Sequence, residues 1–367
     1  MEAVLPRAAW LSLLDRSADV TDSKSPYAPA KQVHLETTRT HLTVRATDLC
    51  RGYEGQRPLT AGKPGSICID AKLLRETVKS FPEGEVVLTT DNRAATITHL
   101  TAKRKSKIGV HPAEDYPSWP EIGGEAVALP LASLHELVRL THYAQSTDAA
   151  RPHMAATCFI WSGEALRVVT TNGHQLSTAW VKAPAAEVET LVPAVAVALL
   201  RDLPPAGDVL LRFTKTHAAW TIESDKGADR WHTKTVDAGF PSWQQVVPQS
   251  HDGAVVCSRA TLLDAISAVG MVTKNRAGGV KCSPIGDELQ IRSEDPEVGE
   301  MEDTIACESS GKVPDGFGIN STYLVNVLKE LTGEKVEIRL TGELDPIVIR
   351  DPALGDRLSA VIMPMRL

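Results

Sequence analysis

Cysteine is scarce in this 367-residue sequence and never close-set. Cys50, Cys68, Cys158, Cys257, Cys282 and Cys307 form no CxxC pair, which argues against zinc and dithiol redox motifs. Most sit in alternating apolar segments such as Ile67-Cys68-Ile69, where a reduced thiol packs as a small hydrophobe. No apolar stretch approaches the roughly 20 residues that span a bilayer, and the N-terminus lacks a charged head followed by an apolar block and a cleavage site. The expectation is a cytoplasmic chain without a membrane partner. An excess of positive charge is missing too: 39 Lys and Arg against 46 Asp and Glu give −7. That excludes a generally cationic nucleic-acid binder, but not a local basic face. Phosphate loops of the form GxxxxGK[ST], GxGxxG turns, HExxH, GxSxG elbows and Asp/Glu clusters at metal spacing are all absent. His174, in Thr170-Thr171-Asn172-Gly173-His174, has no nucleophile in a recognisable partner motif. An Asn-Gly turn between two strands accounts for that segment without chemistry. No catalytic residue, metal or cofactor is expected.

What the sequence does have is 43% apolar residues, enough for packed cores in two to three domains, and a repeat. Val4-Leu5-Pro6-Arg7-Ala8-Ala9-Trp10-Leu11, Ala128-Leu129-Pro130-Leu131-Ala132-Ser133-Leu134-His135 and Val256-Cys257-Ser258-Arg259-Ala260-Thr261-Leu262-Leu263 share one pattern, offset by 124 and then 128 residues. A second marker, Leu42-Thr43-Val44, Leu166-Arg167-Val168 and Leu289-Gln290-Ile291, recurs at 124 and 123. A third is a helix leading to a strand at Val86, Val209 and Val336, at 123 and 127. Three independent markers at one spacing predict three copies of one domain, 1–124, 125–250 and 251–367, with Gly-, Pro- and Ser-marked joints.

Each copy reads as a short strand, a helix, several strands, a second helix and more strands. The first helices carry one apolar stripe, as in Leu134, Leu137, Val138 and in Leu262, Leu263, Ile266, Val269. Two helices on one side of antiparallel strands make an α+β fold. Lys72, Arg75 and Lys79 line one face of the second helix of the first copy. Other helices carry isolated cations, among them Arg7, Arg16, Arg139, His142, Arg201, Arg259 and Lys329. Charge is uneven by thirds: 17 basic against 15 acidic residues in 1–124, 10 against 12 in 125–250, and 12 against 19 in 251–367. The acids of the last third crowd into Glu294-Asp295-Pro296-Glu297, Glu300, Glu302 and Asp303, a solvated loop or edge.

The final residues, Val361-Ile362-Met363-Pro364-Met365-Arg366-Leu367, closely resemble the C-terminus of the bacterial sliding-clamp family, the beta subunit of DNA polymerase III. Thr171-Asn172-Gly173-His174-Gln175-Leu176 is similar to that family's T-D-G-H-R-L segment. Phe240-Pro241-Ser242-Trp243-Gln244-Gln245-Val246-Val247-Pro248 is similar to its F-P-D-Y-R-R-V-x-P segment. Ala46-Thr47-Asp48-Leu49 and His111-Pro112-Ala113-Glu114-Asp115-Tyr116-Pro117 are lesser echoes. With the repeat, the resemblance spans the whole chain.

The resemblance implies a non-catalytic processivity factor: a head-to-tail homodimer closed into a six-domain ring, helices inside and sheets outside, around double-stranded DNA. Weak, interchangeable phosphate contacts would then suffice, because topology retains the duplex. Lys24, Lys72, Arg75, Lys79, Arg151, His153 and Arg201 are the cations expected to approach DNA. Pro152 and His153 replace an aromatic pair of the family, and Asp148 adds an acid beside them.

The resemblance also implies a pocket for short extended peptides of the replicative polymerase alpha subunit, the clamp loader, other polymerases and repair proteins. Mapped here, its residues are Thr171, Gly173, His174, Gln175, Leu176, Pro241, Gln245, Val246, Asn320, Tyr323, Val361, Met363, Pro364, Met365 and Arg366. Methionines around a proline suit a surface that accepts many peptides. Gln175 and Gln245 stand where the family has arginines, and Asn172 where it has Asp, which weakens charge-assisted contacts while the apolar anchors remain. A clamp-like peptide-binding hub, or a specialised second clamp with altered partner preference, is the alternative these departures suggest.

Overall fold

The computed structural model describes residues 1–91, 93–273 and 278–366. Among these lie six α-helices: α1 (Arg7–Ala18), α2 (Ala71–Lys79), α3 (Leu131–Thr141), α4 (Ala194–Arg201), α5 (Arg259–Val269) and α6 (Ser321–Glu330). Each repeat therefore supplies two, as its pattern predicts. Local chemistry sets several starts. The side chains of Asp70, Ser258 and Asn320 accept from the amides of Leu73, Thr261 and Tyr323, satisfying donors the first helical turn leaves open. Among the described residues no helix is long and apolar enough to cross a membrane.

The repeat is written into the strand register. In each third the opening strand pairs antiparallel with the strand that follows the second helix, and the sequence markers meet: Leu5 opposite Val86, Leu129 opposite Val209, Cys257 opposite Val336. The next amide repeats as well. Arg7 donates to the Gly84 carbonyl (2.8 Å), Leu131 to that of Gly207 (2.9 Å) and Arg259 to that of Glu334 (2.9 Å).

The chain forms two compact units, one of Met1–Leu131 with Pro204–Thr235, the other of Ala132–Leu203 with Val236 onward. The first holds a thirteen-stranded antiparallel sheet with Val127–Pro130 and Ala61–Lys63 at its edges. The second holds a ten-stranded one, from Ala156–Thr171 to Phe317–Asn320. The units do not follow the repeat joints, because hydrogen-bonded seams run from one repeat into the next. Arg51–Pro58 pairs with Gly227–Lys234, placing Tyr53 opposite Trp231. Gln175–Pro193 pairs with Leu358–Ile362, placing Leu176 opposite Val361.

The first seam buries charge. Arg57 holds both carboxylate oxygens of Asp229 at 3.0 and 2.9 Å, the Tyr53 hydroxyl donates to the same carboxylate at 2.6 Å, and Arg16 reaches it at 3.1 Å. Burial, reinforced by the Asp229 charge, pushes the Tyr53 phenol well above its ordinary pKa.

Candidate functional site

The second seam begins at a tight turn between Ala156–Thr171 and Gln175–Pro193. Asn172 Oδ1 accepts from the amides of His174 and Gln175, both at 2.9 Å. Thr171 Oγ1 donates to the Gln175 carbonyl at 2.7 Å and accepts from the Gly173 amide at 3.1 Å. Gly173 sits at φ 91°, in the left-handed region that glycine enters without strain. Only an acceptor oxygen is asked of position 172, so Asn serves the turn as Asp would. The chain's tail then lies against this turn. The Met363 amide donates to the His174 carbonyl at 2.9 Å, and the Met365 amide to that of Gly318 at 2.9 Å.

Between turn, tail and the Phe240–Val247 segment opens a pocket of about 120 Å³. Thr171, Gly173, His174, Gln175, Leu176, Pro241, Val246, Val361 and Met363 line it, together with Met154 and Trp243. Its floor belongs to an apolar cluster of Ala156, Cys158, Val169, Leu176, Leu191, Val348 and Val361, against which Phe240, Trp243 and Val247 pack. Burial pushes the Cys158 thiol up to about 12, so it packs there as an apolar group. Among the described residues no Asp, Glu, Lys or Arg lines the pocket.

Gln245, Asn320, Tyr323, Pro364, Met365 and Arg366 do not line the cavity itself. Asn320 spends its side chain capping α6, and the Met365 backbone ties the tail to Phe317–Asn320. Trp243 was legible as the aromatic of the F-P-S-W segment but not singled out; Met154 carried no signal. The Arg167 guanidinium lies 5.5 Å from the centre of the Trp243 ring and donates to Thr178 Oγ1 at 3.2 Å. Burial lowers the pKa of Arg167, making its charge costlier there. Gln175 donates from Nε2 to the Tyr143 carbonyl at 3.0 Å, while its Oε1 is buried without a hydrogen-bond partner.

The cations expected at DNA divide by their surroundings. Lys24, Lys72, Arg75 and Lys79 belong to the first unit, and Arg151, His153 and Arg201 to the second. Among the described residues Lys24, Lys72 and Lys79 are exposed and make no ion pair. Arg75 is held by Asp15 at 2.6 Å and Glu76 at 3.2 Å, Arg151 by Asp148 at 3.4 Å, and Arg201 by Asp202 at 3.6 Å. Two further helix arginines have structural work. Arg7 donates to the Val78 and Lys79 carbonyls at the end of α2. Arg259 donates to the Leu328 carbonyl near the end of α6 and to that of Gly333 just beyond it. Among the described residues no group of His, Cys, Asp and Glu is placed to hold a metal.

The chain is similar to known proteins over its full length. A family model described as DNA polymerase III beta subunit, N-terminal domain, matches residues 1–120, and one described as the same subunit's C-terminal domain matches residues 244–366. A beta sliding clamp of Pseudomonas putida is 26% identical over 375 residues, covering all of both chains. The crystal structure of the DNA polymerase III subunit beta from Pseudomonas aeruginosa has a TM-score of 0.92 at 24% identity, again over all of both chains. A sliding clamp of the same organism bound to griselimycin has the same score, identity and coverage.

Proposed function

The chain belongs to the DNA polymerase III beta-subunit family, the sliding clamps, and from that premise we propose that it is itself a clamp: a non-catalytic cytoplasmic ring that holds a polymerase on duplex DNA. Three repeats per chain, 1–124, 125–250 and 251–367, make six in a head-to-tail pair. The Lys24, Lys72 and Lys79 ammonium groups are the free cations such a ring offers to phosphates, and loosely held point charges suit sliding.

One observation carries the reading: a small apolar pocket built from the Thr171–Gln175 turn, Trp243 and the Met363 tail. It fits the anchor side chains of an extended peptide, such as those of the replicative polymerase alpha subunit, the clamp loader and other polymerases and repair proteins. With Gln175 in its wall and no Asp, Glu, Lys or Arg among its described lining residues, the pocket favours peptides anchored by apolar side chains over peptides anchored by carboxylates.

Loading by a clamp loader on a nicked circle, followed by linearisation, tests the ring. The protein should remain on the circle through gel filtration and leave the linear form through its free ends. Retention on linear DNA overturns encirclement.

A further inference from the structure

One strand of the pocket wall leads to a half-buried cation. Successive strand side chains alternate faces, so Arg167, Val169 and Thr171 share one face. Thr171 stands opposite Leu176, both in the pocket lining, and Val169 opposite Thr178. Trp243 packs over this face: it lines the pocket and holds the Arg167 guanidinium 5.5 Å from its ring centre. A guanidinium is a fork of several N–H donors. Among the described residues Arg167 donates only to Thr178 Oγ1, at 3.2 Å, and none of its nitrogens is both buried and unpartnered. Its unused donors therefore reach the surface. The first seam handles the same face differently. There Arg45 stands opposite Glu54, and across the seam Gly52 meets His232 and Glu54 meets Arg230. At the second seam Leu176 meets Val361 and Thr178 meets Ser359, which makes Val361 the counterpart of His232 and Thr178 the counterpart of Glu54. Glu54 answers two cations, Arg45 at 2.8 Å and Arg230 at 2.7 Å. A neutral hydroxyl at Thr178 leaves Arg167 without a carboxylate, and burial is the one influence on its pKa.

We propose that Arg167 is a specificity-determining residue for the bound peptide: it receives an Asp or Glu carboxylate set about four residues from the apolar side chain that fills the pocket. The inference rests on the peptide-pocket reading and adds an acidic requirement to it. The spacing follows from the strand. Arg167 stands four residues from Thr171, about 13 Å at roughly 3.3 Å per residue, and an extended peptide covers that length in about as many residues. The chemistry follows from the fork. Parallel N–H···O bonds match a carboxylate, and a partly desolvated cation with no acid of its own has the most to regain from one. Trp243 steadies one face of the guanidinium, so less side-chain freedom is lost on binding. An acid in the apolar pocket itself is disfavoured, whereas an acid beside it meets Arg167. With Gln at 175 and 245, the cation that reads the peptide stands beyond the cavity instead of in its wall.

Fluorescence anisotropy of labelled synthetic peptides on the full chain tests this. The probes share one Leu-Phe anchor and carry a single Glu, Gln or Lys at a series of spacings on either side of it. At the matched spacing, wild type should bind the Glu peptide roughly fivefold more tightly than its Gln twin and the Lys peptide more weakly than both, and the differences should shrink at high salt. This order needs no variant. In Arg167→Gln the three peptides should bind alike, the Gln peptide as tightly as to wild type, which marks the pocket as intact. Arg167→Glu should reverse the order and favour Lys over Glu. A wild-type chain that binds Glu, Gln and Lys peptides alike at every spacing, or a Glu preference that survives Arg167→Gln, overturns the role of Arg167 and leaves the pocket reading standing. A wild-type chain that binds none of the peptides overturns both.

Discussion

Leu49 and Gly173 stand at the same point of two copies of one turn, with φ of 75° and 91°. The atoms around them repeat. Thr47 Oγ1 donates to the Arg51 carbonyl as Thr171 Oγ1 donates to that of Gln175, both at 2.7 Å, and Asp48 Oδ1 takes two amides just as Asn172 Oδ1 does. A leucine held left-handed carries roughly 1–2 kcal/mol of strain, and exposed Leu49 offers little packing in return. Leu49→Gly should therefore raise stability by up to about 1 kcal/mol, after glycine's larger loss of backbone freedom. Gly173→Ala should lower it by a similar amount. Urea midpoints at constant slope measure both, and a Leu49→Gly midpoint below wild type would contradict the strain.

The tripeptide Pro-Ser-Trp occurs at 117–119 and again at 241–243, and the two tryptophans meet different neighbours. Trp119 stands edge-on over His232, ring centres 4.6 Å apart, so an imidazole fills the space beside it. Trp243 has Val361, the counterpart of His232, in its pocket wall, and the smaller side chain leaves the cavity open. Trp243→Ala should then cost about 1–3 kcal/mol of affinity for a partner peptide, and Met363→Ala about 1 kcal/mol, with dimer mass unchanged. Isothermal titration against a polymerase-derived peptide reads both. Equal affinity for Trp243→Ala and wild type would move the binding site elsewhere.

His232 makes the first seam sensitive to acid. Burial, aided by the His217 and Lys234 charges, lowers its pKa from 6.5 to about 4. The unfolded chain therefore binds the proton first between those values, and stability from this group is full above about pH 6.5 and drains away as pH falls toward 4. The loss is on the order of 3 kcal/mol. Thermal melts at pH 7 and pH 4.5 should show a drop that His232→Gln shrinks; an equal drop in both proteins would assign the acid sensitivity to other groups.

Much of this was readable beforehand because it repeats. Offsets near 124 placed Leu5, Leu129 and Cys257 in step, and the sheets put each opposite its own marker. The Thr171–Gln175 turn and the Met363 tail announced themselves as motifs. What stayed hidden depends on side chains meeting across long sequence gaps. Arg7 and Arg259 look like free helix cations until each is seen on carbonyls about 70 residues away. Met154 enters the pocket from a loop with no pattern of its own. The seams cross repeat joints because paired edges weigh as much between repeats as within them, and no local signal marks that.

The helix cations separate by the same logic, which gives the last test. Lys72 and Lys79 project from α2 unpaired, whereas Arg75, between them, is bound by Asp15 and Glu76. The Asp15 hydrogen bond raises the Arg75 pKa further, so this guanidinium keeps its charge but spends it inside the protein. Each cation that truly neutralises a phosphate contributes about 0.9 to the slope of log affinity against log salt. Lys72→Ala with Lys79→Ala should flatten that slope by nearly 2 for binding to a short duplex followed by fluorescence anisotropy. Arg75→Ala should leave it almost unchanged and instead weaken the α1–α2 contact, seen as a small fall in melting temperature. A steep loss of slope in Arg75→Ala, with the two lysine changes silent, would reverse the assignment and make Arg75 the cation of this helix that neutralises a phosphate.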